Sequence, residues 1–151
     1  MALLEVRGID AFHGKVQALR GVSLSVGAGE ILCVMGRNGA GKTTTMKAIM
    51  GLVPVRAGSV RLAGEELVGL KPHEIPKKGI GYVPQGRRLF AELTVAENLE
   101  VGLMTRRTGE ATRERMLAMF PRLRDRLRQR AGTLSGGEQQ MLAMARALCL
   151  E

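Results

Sequence analysis

The chain has 151 residues, 45% hydrophobic and 25% charged, with a formal net charge of +9 from 23 basic and 14 acidic side chains. That length and balance describe one globular domain able to bury a core unaided, and exclude a disordered tail or a disulfide-stapled scaffold. Aromatic residues make up 3% with no Trp, so the core must rest on Leu, Val, Ile, Ala and Met, while Cys33 and Cys149 lack metal-type or paired spacing and fit a reducing compartment.

Met1 to Gly8 has no apolar segment after a basic start, so no secretory leader is expected. No stretch approaches the roughly 20 apolar residues of a spanning helix. A soluble protein is expected, with any membrane role passing through a partner. From Arg20 to Val26, apolar residues at 22, 24 and 26 predict a half-buried strand. After the Gly27-Ala28-Gly29 turn, Ile31 to Met35 is continuously apolar. It predicts a strand buried on both faces, as in a parallel sheet, with Cys33 a small buried hydrophobe.

A helical pattern runs from Gly41 to about Gly51, and Ser59 to Leu62 reads as a short strand. Pro76 interrupts a short helix over Lys71 to Pro76, where His73 is ordinary surface. Gly79 to Val83 reads as another strand, closed by Pro84. Thr94-Val95-Ala96-Glu97 has capping-box spacing and opens a helix. Glu110 to Phe120 and Arg122 to Gln129 are expected helices separated by Pro121. A strand-rich α/β part therefore precedes an α-helical part, with the boundary near residue 90.

Nine arginines fall between Arg106 and Arg130. Only Phe120 interleaves with them, so they lack the stacking platforms of a nucleic-acid surface. A solvated helical face or a docking surface for a partner is expected, and no nucleic acid.

Gly36-Arg37-Asn38-Gly39-Ala40-Gly41-Lys42-Thr43 matches Gly-x-x-x-x-Gly-Lys-Thr completely, between an apolar run and a helical pattern. By composition alone such a match arises in about one chain of this length in 200. Glycines let successive N–H groups converge on phosphate oxygens at a helix N-terminus whose dipole favours anions. Lys42 would reach the β- and γ-phosphates, and the Thr43 hydroxyl would ligate Mg²⁺. With Thr44 alongside, this is a nucleotide site.

Further on, Leu134-Ser135-Gly136-Gly137-Glu138-Gln139-Gln140 opens a helix with apolar residues at 141, 142, 144, 145 and 148. Ser135-x-x-Glu138 is a capping box by itself. Two glycines in the first turn weaken the helix by about 1 kcal/mol each, yet allow close backbone approach to a phosphate.

A phosphate loop followed by Leu134 to Gln140 resembles the ATP-binding cassette (ABC) ATPases, and Gly81-Tyr82-Val83-Pro84-Gln85 is similar to that family's glutamine loop. Pro84 to Phe90, Leu93 to Leu99, Phe120 to Leu123 and Arg130 to Thr133 are similar to the ATPases of branched-chain amino acid importers. The resemblance covers nearly the whole chain. It implies a P-loop NTPase core with an antiparallel β part and an α-helical subdomain. The organisation would be 1–89 core, 90–133 helical subdomain and 134–151 signature loop and returning helix. Two such subunits would pair head to tail, with ATP and Mg²⁺ between the phosphate loop of one and the Ser135-Gly136-Gly137 segment of the other, within the signature loop Leu134 to Glu138. Gln85 would sense Mg²⁺ and the attacking water, and the helical subdomain would receive a membrane permease at the cytoplasmic face of the membrane.

Some residues depart from the pattern. The family stacks adenine on an aromatic just before a glycine, and here Phe12-His13-Gly14 puts His13 at that position, with Phe12 facing the other side of an extended strand. Many branched-chain amino acid members carry Glu where this chain has Gln85, and urea-type importers carry Gln. After the helix from Glu138 to Leu148 the family continues into an apolar strand ending in Asp-Glu, whose acids hold Mg²⁺ and act on the attacking water, and later a switch histidine. This sequence ends at Leu150-Glu151. The chain is therefore read as C-terminally truncated, and is expected alone to hydrolyse ATP negligibly and to fold poorly. Two other readings are a non-hydrolysing nucleotide-binding fragment that pairs with a full-length subunit, and a soluble cassette acting on ribosomes or DNA.

Overall fold

The computed structural model describes residues 2–86, 88–106 and 109–150, which leaves outside it Met1, Arg87 of the Pro84 to Phe90 motif, Arg107 and Thr108 of the arginine stretch, and Glu151. The fold is mixed α/β and falls into two compact units, Met1–Lys78 and Gly79–Glu151.

The first unit carries a four-stranded antiparallel sheet in the order β2-β1-β3-β4, formed by β1 (Ala2–His13), β2 (Val16–Gly27), β3 (Val55–Leu62) and β4 (Glu65–Glu66). β1 and β2 form a hairpin with His13 opposite Val16. Gly14 takes φ 61° in the two-residue loop between them, a conformation that glycine adopts without a steric penalty. Inward-facing Val6, Ile9, Leu19 and Val60 build the core, each no more than 2% exposed. Between Val6 and Ile9 a register shift interrupts the pleat's alternation, with both Arg7 and Gly8 exposed.

Helix α1 (Lys42–Ile49) covers part of that core through Thr45, Ala48 and Ile49. It ends in a Schellman motif: Leu52 N donates to Lys47 O at 2.8 Å and Gly51 N to Ala48 O at 3.0 Å, with Gly51 at φ 66°. Pro76 begins a single 3₁₀ turn, Pro76–Lys78, instead of interrupting a helix. A proline at a first helical position gives up an N–H that would be unpaired in any case. His73 is exposed.

Ile31 to Met35 departs from expectation. It forms no strand, and Ile31 is 99% and Met35 85% exposed, with Cys33 also exposed. A strand buried on both faces needs a neighbour on each edge, and among the described residues none pairs with this run.

The second unit is helical, with α2 (Val95–Arg106), α3 (Glu110–Met119), α4 (Pro121–Arg124) and α5 (Gly136–Leu148). Val95, Leu99, Met116, Leu117, Leu123 and Leu142 are among the residues of one buried cluster. Gly102 lets α2 lie close to α5, because a Cβ there would stand 2.7 Å from Arg146 O. Gly79 to Val83 is not a strand; it passes over α5, where a Cβ on Gly81 would stand 2.6 Å from Ala147 O.

The helix expected over Arg122 to Gln129 stops at Arg124. Beyond it the carbonyls of Leu127 and Gln129 accept from Ala96 N at 3.0 Å and Val95 N at 2.9 Å. Those bonds satisfy N–H groups at the start of α2, which the helix itself leaves unpaired. Pairing across the unit has displaced pairing within the segment.

Candidate functional site

In the first unit, Gly36 to Ala40 is an exposed loop ahead of α1. Gly39 at φ 84° and Gly41 at φ 94° turn the backbone through the left-handed region, where a side chain costs about 1–2 kcal/mol. A Cβ on Gly39 would meet nothing within 4 Å, whereas one on Gly41 would stand 2.8 Å from Leu19 Cδ2. Gly41 is therefore required twice, by its φ and by β2. Ala40 N donates to Arg37 O at 3.1 Å, which closes the first turn of the loop.

Lys42 folds over this loop, its Nζ donating to Gly36 O at 2.5 Å and Arg37 O at 2.8 Å. An ammonium has three donors, so it gathers carbonyls now and can exchange them for phosphate oxygens. The α1 N-terminus has no side-chain cap and no acidic residue in its first turn. Thr45 Oγ1 turns inward to Gly41 O at 3.0 Å, while Thr43 is exposed beside Lys42. These residues suit a nucleotide phosphate chain: curled backbone, a movable cation, an uncapped helix end and, in Thr43, an exposed hydroxyl-bearing residue for a hard cation.

His13 lies at the same place, its Nε2 3.4 Å from Thr44 Oγ1. Phe12 is occupied elsewhere, with the Arg56 guanidinium 5.1 Å from its ring centre. Of the adenine candidates, His13 is the one gathered to the loop.

In the second unit, Gln85 is exposed on a turn with Gly86 at φ 82°. Downstream, Asn98 is fully buried and fastens the approach to α2. Its Oδ1 accepts from Phe90 N at 3.1 Å, and its Nδ2 donates to Phe90 O and Thr94 O, each at 3.0 Å. Arg146 adds a second tie, donating to Arg88 O at 2.8 Å with its guanidinium 5.3 Å from the Phe90 ring centre. Arg88 holds φ 44°, uncommon outside glycine. Neither Asn98 nor Arg146 was singled out by sequence. The available signal for Asn98 was a polar residue beside the apolar positions 95, 99 and 103.

Both capping boxes form. Thr94 N donates to Glu97 Oε2 at 2.7 Å and Glu97 N to Thr94 Oγ1 at 3.2 Å. Ser135 N donates to Glu138 Oε2 at 3.0 Å and Glu138 N to Ser135 Oγ at 3.3 Å. Ser135 to Gly137 are exposed while Leu134 and Glu138 anchor the turn from buried positions. Glu138 also accepts from Arg126 Nε at 3.2 Å. The Ser135 N–H and hydroxyl bonds, together with Arg126, outweigh burial and hold the Glu138 carboxyl below its ordinary value. Glu97 is lowered in the same way by the Thr94 N–H and hydroxyl.

A Gly-x-x-x-x-Gly-Lys-Thr loop on a curled backbone, together with a Leu-Ser-Gly-Gly-Glu turn at a capped helix, defines the class of ATP-binding cassettes. Residues 19–151 match the ABC transporter family, and the chain belongs to it. It is 47% identical over 148 residues to the high-affinity branched-chain amino acid transport ATP-binding protein BraG of Pseudomonas aeruginosa, covering 97% of this chain and 64% of BraG. Against the probable branched-chain amino acid transport ATP-binding protein LivF of Archaeoglobus fulgidus the identity is 42%, covering 97% of this chain and 63% of LivF. A solved ATP-binding subunit of an ABC transporter superposes with a TM-score of 0.85 at 33% identity, over 98% of this chain and 62% of that one. The chain thus spans less than two thirds of the length of these relatives. Among the described residues, no helix is long and apolar enough to cross a membrane.

Proposed function

We propose that the chain is part of the ATP-binding subunit of an ABC importer, which couples ATP binding and hydrolysis to uptake of a small polar solute, most plainly a branched-chain amino acid. The observation that carries this reading is the Lys42 ammonium drawn over a loop turned by Gly39 and Gly41 at an uncapped helix end. The Thr43 hydroxyl, with Gln85, would hold Mg²⁺, which would supply charge neutralisation for the nucleotide phosphates. The chain's own residues do the rest. Gly36 to Gly41 present backbone donors, Lys42 moves from two carbonyls to the β- and γ-phosphates, and the Thr43 hydroxyl faces the cation. His13 offers a flat ring to the base. Gln85 is proposed as a further Mg²⁺ contact and sensor of the attacking water. Leu134 to Glu138 would close over the nucleotide of a second subunit, paired head to tail. The helical subdomain, with its arginine-rich stretch, would receive a membrane permease at the cytoplasmic face.

Support for the amino acid substrate is the identity to BraG and LivF, while Gln85 keeps a urea-type importer as the other solute. The experiment is Mg²⁺–ATP titration of the chain beside Lys42→Ala. Removing a charged phosphate contact of about 1.5–3 kcal/mol should weaken binding by roughly 10- to 150-fold. Equal affinities for the two would refute the site. Negligible turnover alongside intact binding, with a stable complex formed on a full-length relative, would favour the non-hydrolysing fragment as the working form.

A further inference from the structure

We propose that Arg126 is a positioning residue for the Ser135–Gly137 turn, holding the Glu138 carboxylate on the Ser135 N–H so that the turn presents its backbone to an anion. This rests on the nucleotide reading above, in which that turn meets a terminal phosphate. A helix end that receives an anion faces a difficulty when a carboxylate stands in its own first turn, because like charges repel. In α5 both Glu138 oxygens are engaged. Oε2 takes the Ser135 N–H at 3.0 Å and Oε1 takes Arg126 Nε at 3.2 Å. The Glu138 side chain is 10% exposed, whereas Ser135, Gly136 and Gly137 are exposed and a Cβ on Gly137 would meet nothing within 4 Å. The acid is drawn in and compensated, and the glycines remain presented.

Arg126 is itself located by its neighbours. Its N–H donates to Leu123 O at 3.1 Å, and its Nη1 donates to Gln129 Oε1 at 3.3 Å. Gln129 Nε2 then donates to Thr133 Oγ1 at 3.0 Å and to Thr133 O at 3.3 Å, and Gln139 Nε2 donates to Leu134 O at 3.1 Å. The segment from Arg126 to Leu134 therefore forms a braced bracket ending on the turn. Arg126 is 49% exposed, so its ion pair contributes little to global stability and acts through orientation. The charge-assisted bond fixes which way the carboxylate lies. A neutral side chain of similar length would leave Glu138 free to rotate toward solvent and the glycines.

The test uses the isotopically labelled chain, its Arg126→Met and Arg126→Lys variants, amide exchange at Ser135 and Glu138, and titration of the Glu138 carboxyl over a pH series. Mg²⁺–ATP affinity is measured on the same samples. In Arg126→Met the Ser135 amide should exchange about threefold faster, the size of effect expected for loss of a half-exposed ion pair. Glu138 should titrate at higher pH, and protection of the Leu99 and Leu117 amides should be unchanged, which separates positioning from unfolding. Arg126→Lys should restore most of the protection. ATP affinity at the phosphate loop should change by less than about twofold, as for independent sites. Unchanged Ser135 exchange and unchanged Glu138 titration in Arg126→Met would overturn the proposal and leave the nucleotide reading intact. Failure of the unsubstituted chain to bind ATP, with the exchange results as expected, would instead overturn the nucleotide reading alone.

Discussion

Two glycines of one loop allow backbone strain to be separated from crowding. Gly39 and Gly41 both hold positive φ, at 84° and 94°, but only Gly41 faces a wall, the Leu19 side chain, with Cδ2 2.8 Å from the site of a Cβ. Gly39→Ala should therefore cost only the left-handed penalty, about 1–2 kcal/mol. Gly41→Ala should add overpacking of about 1–3 kcal/mol, because the Leu19 side chain, 2% exposed, would have to shift inside the core to admit a Cβ. The sum is about 2–5 kcal/mol. Leu19→Val removes the offending methyl for about 1 kcal/mol and should recover most of the added cost in the double variant. Urea titration followed by far-ultraviolet circular dichroism measures all four variants. Equal costs for Gly39→Ala and Gly41→Ala, or a double variant additive to within about 0.5 kcal/mol, would refute the claim that β2 sets the shape of the phosphate loop.

Other outcomes follow from burial and charge. Burial pushes the Cys149 thiol up to about 11, whereas Cys33 is exposed, so a thiolate-directed alkylating reagent at neutral pH should label Cys33 and spare Cys149 in an intact-mass and peptide-mapping experiment. Glu97 and Glu138 are both held below the ordinary glutamate value of 4.5 in the folded chain. Their contribution is thus complete above that value and is lost as pH falls through the lowered folded values, so acid unfolding should begin below 4.5 and be blunted in Glu97→Gln and Glu138→Gln. Ile31→Ser should change the stability of the chain by less than about 0.5 kcal/mol, the expectation for an exposed residue, where a strand buried on both faces would lose about 2–5 kcal/mol on equivalent truncation.

Where a motif needs only its own neighbours, the sequence read true. The phosphate loop, both capping boxes, the β2 alternation and the start of α1 each depend on residues within a few positions of one another, and each forms. Ile31 to Met35 failed for the opposite reason. Its composition states that both faces want burial, but composition does not supply the neighbouring strands, and with no strand pairing it among the described residues the run stays irregular and exposed. Arg122 to Gln129 failed through competition. Its helical pattern was outbid by the N–H groups of Val95 and Ala96, about 30 residues away in sequence, which took the Leu127 and Gln129 carbonyls.

The same distinction explains which candidate site residues were legible. Lys42, Thr43 and Ser135 to Glu138 sit in short fixed-spacing patterns whose chemistry is local. Arg126, Asn98 and Arg146 act across gaps of 12, 8 and 58 residues, on Glu138, Phe90 and Arg88 respectively, so no window of sequence contains both ends of any contact at helical or strand spacing. These three residues share a feature: each fastens backbone or carboxylate next to a motif that was legible. Asn98 and Arg146 grip the chain a few residues after Gln85, and Arg126 grips the acid that caps Ser135. The motifs present the chemistry that would meet a nucleotide, while residues outside them fix the direction in which that chemistry points. Substitutions that spare every motif residue should therefore still misdirect the site, and Arg126→Met is the variant that tests this most directly, because the Arg126 side chain is half exposed and is not a member of the buried cluster.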